Sequence, residues 1–363
     1  MRHLIGIEEL SVAEINALIE TAEDIIDNPK KYSEVCHGKK IATLFYEPST
    51  RTRLSFESAM LELGGSVIGF SDADNSSASK GESVADTTKV ISCFADIIAM
   101  RHFKEGAPMV SSLNASIPVI NAGDGGHNHP TQTLTDLLTI KRELGRLDNI
   151  TVGFCGDLKF GRTVHSLITA LARYTGIKLV LIAPEELKVP GYIKYGIIEK
   201  NGMEYVETTD LEGSIPELDI LYMTRIQQER FLDRNEYLRL KDSYVLTPEK
   251  LAEGKDTLCV LHPLPRVNEI SVAVDKDPRA CYFKQVLYGK YIRMALIKML
   301  LEEADKSADS KETCNCNEVI VTKKCNNPHC ITTIEQELPH LFKLTDADAG
   351  VYRCIYCESK AED

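Results

Sequence analysis

Apolar positions recur along this chain in two alternating rhythms. A consecutive apolar run at 40–47 reads as a buried strand. After Pro48, apolar residues at 54, 56, 59, 60 and 63 follow helical spacing, so 54–63 reads as a helix that Gly64 and Gly65 end. Before them, residues 10–26 show a helical pattern with Ser11 as cap, broken at Asn28-Pro29. Strands are expected at 66–70, 96–101 and 117–121, separated by helices running from Gly81-Glu82 to Phe94 and around Met109, with a further helix at 131–144. The alternation resumes with a strand at 149–157, a helix from 162 to 174, and strands at 178–183, 218–224 and 257–261. A long amphipathic helix at 282–303 is expected to cross back and complete the first domain. Strand alternating with helix predicts an α/β protein with two doubly wound parallel-sheet domains, whose ligands lie beyond the carboxyl ends of the strands.

Composition narrows this picture. The 363 residues fit two domains with a small third, and 43% apolar residues are enough to build their cores. With 54 acidic and 42 basic residues the formal charge is −12, which argues against nucleic-acid or membrane-surface partners, so any anion site must be local. No charged apolar leader opens the chain and no run reaches the ~18 apolar residues of a membrane span, so a soluble cytoplasmic protein is expected.

Of eleven cysteines, Cys36, Cys93, Cys155, Cys259 and Cys281 are scattered singly, while six crowd the last fifty residues. Cys325-x4-Cys330 and Cys354-x2-Cys357, 23 residues apart, supply four thiolates for a closed tetrahedral structural zinc site. Cys314 and Cys316 fall outside that spacing, in a linker rich in Glu, Asp, Lys and Ser. The expected divisions are 1–148 with 282–303, 149–281, a linker at 304–318, and a small C-terminal zinc-binding β domain at 319–363.

The densest candidate chemistry is Ser49-Thr50-Arg51-Thr52-Arg53. It sits where the helix opens, so free N–H groups and the helix dipole favour an anion before any side chain is counted. Hydroxyls and guanidinium forks added there point to phosphate. Arg101 follows one predicted strand, and His129 ends a glycine-rich loop at 123–130 after another. The turn from Gly156 to Gly161 fails the GxGxxG spacing, which disfavours nicotinamide dinucleotides. His37, His127, His329 and His340 read as surface or structural residues.

Together, the 49–53 segment, Lys80-Gly81-Glu82, Met100-Arg101-His102, His129-Pro130-Thr131-Gln132-Thr133, Gly156-Asp157-Leu158-Lys159-Phe160-Gly161-Arg162-Thr163 and His262-Pro263-Leu264-Pro265-Arg266 resemble the catalytic chains of the aspartate carbamoyltransferase family over residues 1–303. The C-terminal cysteine segment resembles the zinc domain of that family's separate regulatory chain, without room for the nucleotide-binding domain that precedes it there. The resemblance implies transfer of a carbamoyl group from carbamoyl phosphate to L-aspartate, the committed step toward pyrimidines. Ser49, Thr50, Arg51 and Thr52 would hold the phosphate, with Glu47 steadying the arginines. Thr52, Arg101 and His129 would donate to the carbonyl oxygen, and Gln132 would orient the carbamoyl amide. Pro263 and Leu264 would offer backbone carbonyls to the amine and the carbamoyl nitrogen, while Arg162, Arg225 and Gln227 would bind the aspartate carboxylates. Ser76 and Lys80 match residues that reach a neighbouring subunit's carbamoyl-phosphate site, and Lys80 also matches one that binds aspartate, which implies a homotrimer with shared sites, alone or as paired trimers. Ser79 stands where a second lysine is common in the family.

The implied chemistry requires neither a nucleophilic side chain nor a catalytic metal, because the leaving phosphate can accept the proton. The nearest rival is ornithine carbamoyltransferase, which has a cysteine where this chain has Pro263. An inactive zinc-ribbon scaffold is the other alternative. Residues 302–363 hold 13 acidic and 7 basic residues, the wrong sign for nucleic acid. The zinc domain is expected to strengthen assembly without sensing nucleotides, so no separate regulatory chain is needed.

Overall fold

The first buried strand, β1 (Lys40–Phe45), has five consecutive residues out of solvent, as a strand covered on both faces requires. The computed structural model describes residues 1–72, 77–226, 244–307, 320–322, 324–335, 338–346 and 349–361. β1 pairs in parallel with β2 (Ser66–Phe70) and β3 (Ile97–His102), and β3 pairs with β4 (Val119–Asp124), giving the order β2-β1-β3-β4. The register Leu44↔Met100 and Phe45↔Arg101 brings the ends of β1 and β3 side by side. The helices α1 (Val12–Asp27), α2 (Thr50–Glu62), α3 (Val84–Ile91) and α4 (Ala107–Asn114) occur in chain order around these strands.

A second sheet, β7-β6-β5-β8-β9, is also all parallel. Its strands are β5 (Thr151–Cys155), β6 (Lys178–Ile182), β7 (Glu204–Thr208), β8 (Ile220–Met223) and β9 (Cys259–Leu261). Three further helices are α5 (Pro130–Leu144), α6 (Arg162–Leu171) and α7 (Tyr282–Ser307). A three-stranded antiparallel sheet, β10 (Ile320–Thr322), β11 (Leu341–Asp346) and β12 (Val351–Cys354), forms the C-terminal module.

The chain divides into two compact units. One holds residues 1–9, 20–130 and 293–363; the other holds 10–19 and 131–292. The cysteine module therefore belongs with the first sheet. Its Ile331, Phe342 and Tyr356 share one core cluster with Ala42, Leu44, Met100 and Val110. Fully burying a side chain such as Ile331 or Phe342 contributes roughly 1.5–3 kcal/mol.

Three elements differ from the sequence expectations. α2 starts at Thr50 and not at 54, because its first turn is polar and carries no apolar spacing to read. The helix expected from 162 to 174 stops at Leu171. β7 was not expected: it is a short edge strand with alternating partial exposure, so Glu204 and Glu207 mask its pattern.

Candidate functional site

In the first unit the chain leaves β1 and enters α2 with Ser49 at the cap position. The Ser49 side chain makes no capping hydrogen bond, and the first turn of α2 has no acidic residue to neutralise its positive end. The two arginines of this turn divide their work. Arg53 is spent within the helix: its Nε lies 2.7 Å from Oε1 of Glu57, which also accepts from the Thr43 hydroxyl at 3.1 Å. Among the described residues no carboxylate pairs with Arg51. Partial burial, and then the nearby positive charge of Arg101, push its pKa below the usual arginine value. An anion bound near both guanidinium groups would offset that repulsion.

Arg101 ends β3. Its side chain is 11% exposed, and its Nη2 pairs with Oε2 of Glu47 at 2.7 Å. Nη1 donates to the Ala122 carbonyl at 3.3 Å, while the buried Nε has no hydrogen-bond partner among the described residues. Burial lowers the Arg101 pKa and Glu47 opposes that shift. The buried His129 stands directly before α5. Gly123 brings the two together: with φ at +118°, a Cβ there would lie 2.6 Å from Nη1 of Arg101 and 3.3 Å from Cδ2 of His129. Only a residue without a side chain lets both groups approach so closely. Thr52 lies half-buried in the first turn of α2, and Lys80 is exposed at the end of the short turn Ser77–Lys80. Ser76 lies outside the described residues.

The loop between β4 and α5 is held by Asp124, which is wholly buried. Asp124 accepts hydrogen bonds from the backbone N–H groups of Gly106 and Asn128, both at 2.9 Å. It also faces Nδ1 of His127 at 3.0 Å. Burial alone would lower the His127 pKa, but Asp124 and then Glu358, 3.2 Å from Nε2, raise it well above the ordinary value.

In the second unit, Gln132 occupies the first turn of α5. Its Nε2 donates to Oδ1 of Asp136 at 2.7 Å, which leaves its carbonyl oxygen as the end suited to an N–H donor. Asp136 also accepts from Gln285 at 2.6 Å and from the Tyr222 hydroxyl at 3.0 Å. Gln285 in turn accepts from the His262 backbone N–H at 3.0 Å, so one buried network joins Gln132 to the turn holding Pro263 and Leu264. That turn is held by His262, whose Nδ1 accepts from Leu264 N at 2.7 Å and whose Nε2 meets Glu269 at 2.8 Å. The other Glu269 oxygen accepts from Val267 N and Asn268 N, both at 3.0 Å.

Arg162 opens α6 and Arg225 follows β8; both are half-buried. Their segments meet through Asp157 N, which donates to the Thr224 hydroxyl at 2.8 Å. Asp157 also accepts from Phe160 N at 2.9 Å. Gln227 lies outside the described residues. Arg266 is committed to Asp275 and the Tyr282 hydroxyl, a structural role.

The four cysteines of the C-terminal module converge. Their sulfurs all lie within 4.8 Å of one another, with Cys325 and Cys357 3.7 Å apart and Cys330 and Cys354 4.0 Å apart. Zinc–sulfur bonds of about 2.3 Å put tetrahedral sulfurs about 3.8 Å apart. The cluster therefore fits one tetrahedral metal ion.

Sequence reasoning missed the groups that hold these sites: Asp124, Asp136, Glu269 and Gln285, together with Glu358. None belongs to a local motif with recognisable spacing. An interior Asp such as Asp124 beside Gly-rich sequence was the strongest available signal.

The fold and these sites define a carbamoyltransferase carrying an added metal module. Residues 2–142 match the aspartate/ornithine carbamoyltransferase carbamoyl-P binding domain, and residues 148–300 the Asp/Orn binding domain of the same family. Residues 317–363 match the metal binding domain of the aspartate carbamoyltransferase regulatory chain. The aspartate carbamoyltransferase catalytic subunit of Lachnoclostridium phytofermentans is 65% identical over 301 residues, covering 83% of this chain and 98% of the relative. That of Clostridium kluyveri is 61% identical over 300 residues, with the same coverage of 83% and 98%. Among solved structures, the catalytic subunit of M. jannaschii aspartate transcarbamoylase superposes with a TM-score of 0.79 at 47% identity, covering 84% of this chain and 99% of that one. The Trypanosoma cruzi enzyme, in complex with carbamoyl phosphate and aspartate, gives 0.78 at 37% identity, covering 82% and 96%. The chain belongs to the aspartate/ornithine carbamoyltransferase family, on its aspartate carbamoyltransferase branch.

Proposed function

We propose that this chain transfers the carbamoyl group of carbamoyl phosphate to the amino group of L-aspartate, giving N-carbamoyl-L-aspartate and phosphate. The observation that carries the reading is the start of α2, with no side-chain cap and no acidic residue in its first turn, together with Arg101 and His129, which both lie against Gly123. Ser49, Thr50, Arg51 and Thr52 hold the phosphate, with Lys80 and Ser76 supplied by a neighbouring subunit. The amine attacks the carbonyl carbon and a C–N bond forms, while negative charge gathers on the carbonyl oxygen. Thr52, Arg101 and His129 donate to that oxygen, and one such donor is worth about a hundredfold or more in rate. The C–O bond to phosphate then breaks, and the departing phosphate takes the amine proton. Gln132 receives the carbamoyl N–H at its carbonyl oxygen, in the orientation that Asp136 imposes. Arg162, Arg225 and Gln227, with Lys80, bind the aspartate carboxylates, and Pro263 and Leu264 present carbonyls to the nitrogens.

The four cysteines hold zinc in a structural role. The chain works in the cytoplasm as a homotrimer with shared sites, alone or as paired trimers, and needs no separate regulatory chain. One assay tests the reaction: purified protein with carbamoyl phosphate should release phosphate when aspartate is added and not when ornithine is. Release with ornithine alone would overturn the choice of acceptor. Preference for aspartate over ornithine is supported by Pro263, and by two cationic side chains where a cationic substrate would be repelled.

A further inference from the structure

The chain segments that follow Arg101 and precede His129 both meet the cysteine module. After Arg101, the chain leaves β3 and reaches Glu105, whose backbone N–H donates to the His329 carbonyl at 2.9 Å and whose carbonyl accepts from Ile331 N at 2.9 Å. The Glu105 carboxylate accepts from the Asn327 amide at 2.7 Å. Gly106 packs so tightly that a Cβ there would lie 2.6 Å from Tyr356. The Gly106 N–H donates to Asp124, the buried carboxylate that also holds Asn128 N in the His129 loop. His127 completes the string, because its two ring nitrogens face Asp124 on one side and Glu358, the residue after Cys357, on the other. Glu358 is itself set by the cysteine turn: its N–H donates to the Cys354 carbonyl at 2.9 Å, and its own carbonyl accepts from Arg353 at 2.9 Å.

We propose that the cysteine module orients the oxyanion donors of its own chain, with His127, held between Asp124 and Glu358, acting as a positioning residue for His129. The proposal rests on the reading that Arg101 and His129 serve the carbamoyl oxygen. A buried carboxylate with all its hydrogen-bond partners in place is fixed in one geometry, whereas one that loses a partner is costly and drives rearrangement. The His129 loop thus takes its conformation from a contact that closes only when the module is docked. The phosphate cradle at the start of α2 is not part of this string.

The test uses the full-length protein and the variants His127→Gln, Glu358→Gln and the double variant. The turnover number should fall about tenfold in His127→Gln and about threefold in Glu358→Gln, and the double variant should be no worse than His127→Gln, since both act through one contact. Affinity for inorganic phosphate, measured by calorimetry, should stay within about twofold, because the cradle is untouched. Amide hydrogen exchange across 122–129 should quicken in each variant. That last readout needs no turnover, so it stands even if the proposed reaction is wrong. Unchanged exchange in the loop would overturn the proposal. So would additive losses in the double variant, or an equal loss of phosphate affinity, which would mark a general destabilisation.

Discussion

Two arginines two positions apart illustrate how neighbours decide roles at the residue scale. Arg53 is paired with Glu57, while Arg51 feels the positive charge of Arg101, a repulsion that a bound anion would offset. Arg51→Ala should lower kcat/KM for carbamoyl phosphate by about a hundredfold or more, and weaken phosphate binding, with the far-ultraviolet circular dichroism unchanged. Undiminished affinity for carbamoyl phosphate would contradict this assignment. His102 offers a second prediction. It is 2% exposed, stacked on Phe103 with ring centroids 4.4 Å apart, and its Nδ1 accepts from Lys104 N at 2.9 Å. Burial pushes its pKa down to about 4 from 6.5. The folded-state pKa is depressed, so above pH 6.5 both states are neutral at this group and stability is whole. As pH falls from 6.5 toward 4, the unfolded chain takes up a proton that folded His102 refuses, and stability declines by up to about 3 kcal/mol. His102→Asn keeps a local acceptor and should remove that part of the acid slope. Urea midpoints at pH 7 and 4.5 measure it, and parallel loss in variant and parent would refute it.

At the scale of elements, chemistry collects where strands end. β1, β3 and β4 run parallel, so their carboxyl ends deliver Glu47, Arg101 and the His129 loop to one side of the first sheet, and the α2 start follows β1 there. β4 runs on to Asp124, which makes Gly123 a strand residue at φ +118° and presses it against Arg101. Gly123→Ala would demand both a strained backbone and a displaced guanidinium. It should cost about 1–3 kcal/mol of stability and reduce turnover at least tenfold with phosphate affinity nearly kept. Chemical denaturation and steady-state kinetics check both parts. Wild-type turnover in this variant would show that the close approach does not matter. The periodic elements were legible because helix and strand spacing arises between residues close in sequence. The start of α2 and the edge strand β7 were not, because a polar first turn and a half-exposed edge leave no apolar rhythm.

For the whole molecule, the notable feature is a metal module that shares a core with the first unit of its own chain. Metal binding at four converging thiolates is folding energy for so small a domain. Removing the metal with a chelator, or changing Cys325 to Ser, should lower the thermal midpoint by roughly 5 °C or more and reduce the mass of the assembly. Unchanged stability and mass after complete removal would overturn the structural role. ATP or CTP at millimolar concentration should leave the aspartate saturation curve where it was. The α7 helix runs to Ser307 and β10 starts at Ile320, a span of linker composition far shorter than a folded nucleotide domain. A reproducible shift in half-saturation would contradict that.

The sequence by itself determined the alternation of strand and helix, the placement of 49–53 at a helix start, of Arg101 at the carboxyl end of a strand and of His129 before a helix, and the four-thiolate spacing. All of these rest on short-range order: helical and strand periods, free N–H groups at a helix start, and ligands in adjacent turns. Only the tertiary structure decided what holds them. Gln285 reaches Asp136 across 149 residues, and Glu358 meets His127 across 231. Such contacts carry no spacing rule, because the chain between their partners is free to take any path until the cores close. It likewise decided that Arg53 pairs with Glu57 while Arg51 feels the charge of Arg101, since a guanidinium's role depends on which charges the fold sets around it.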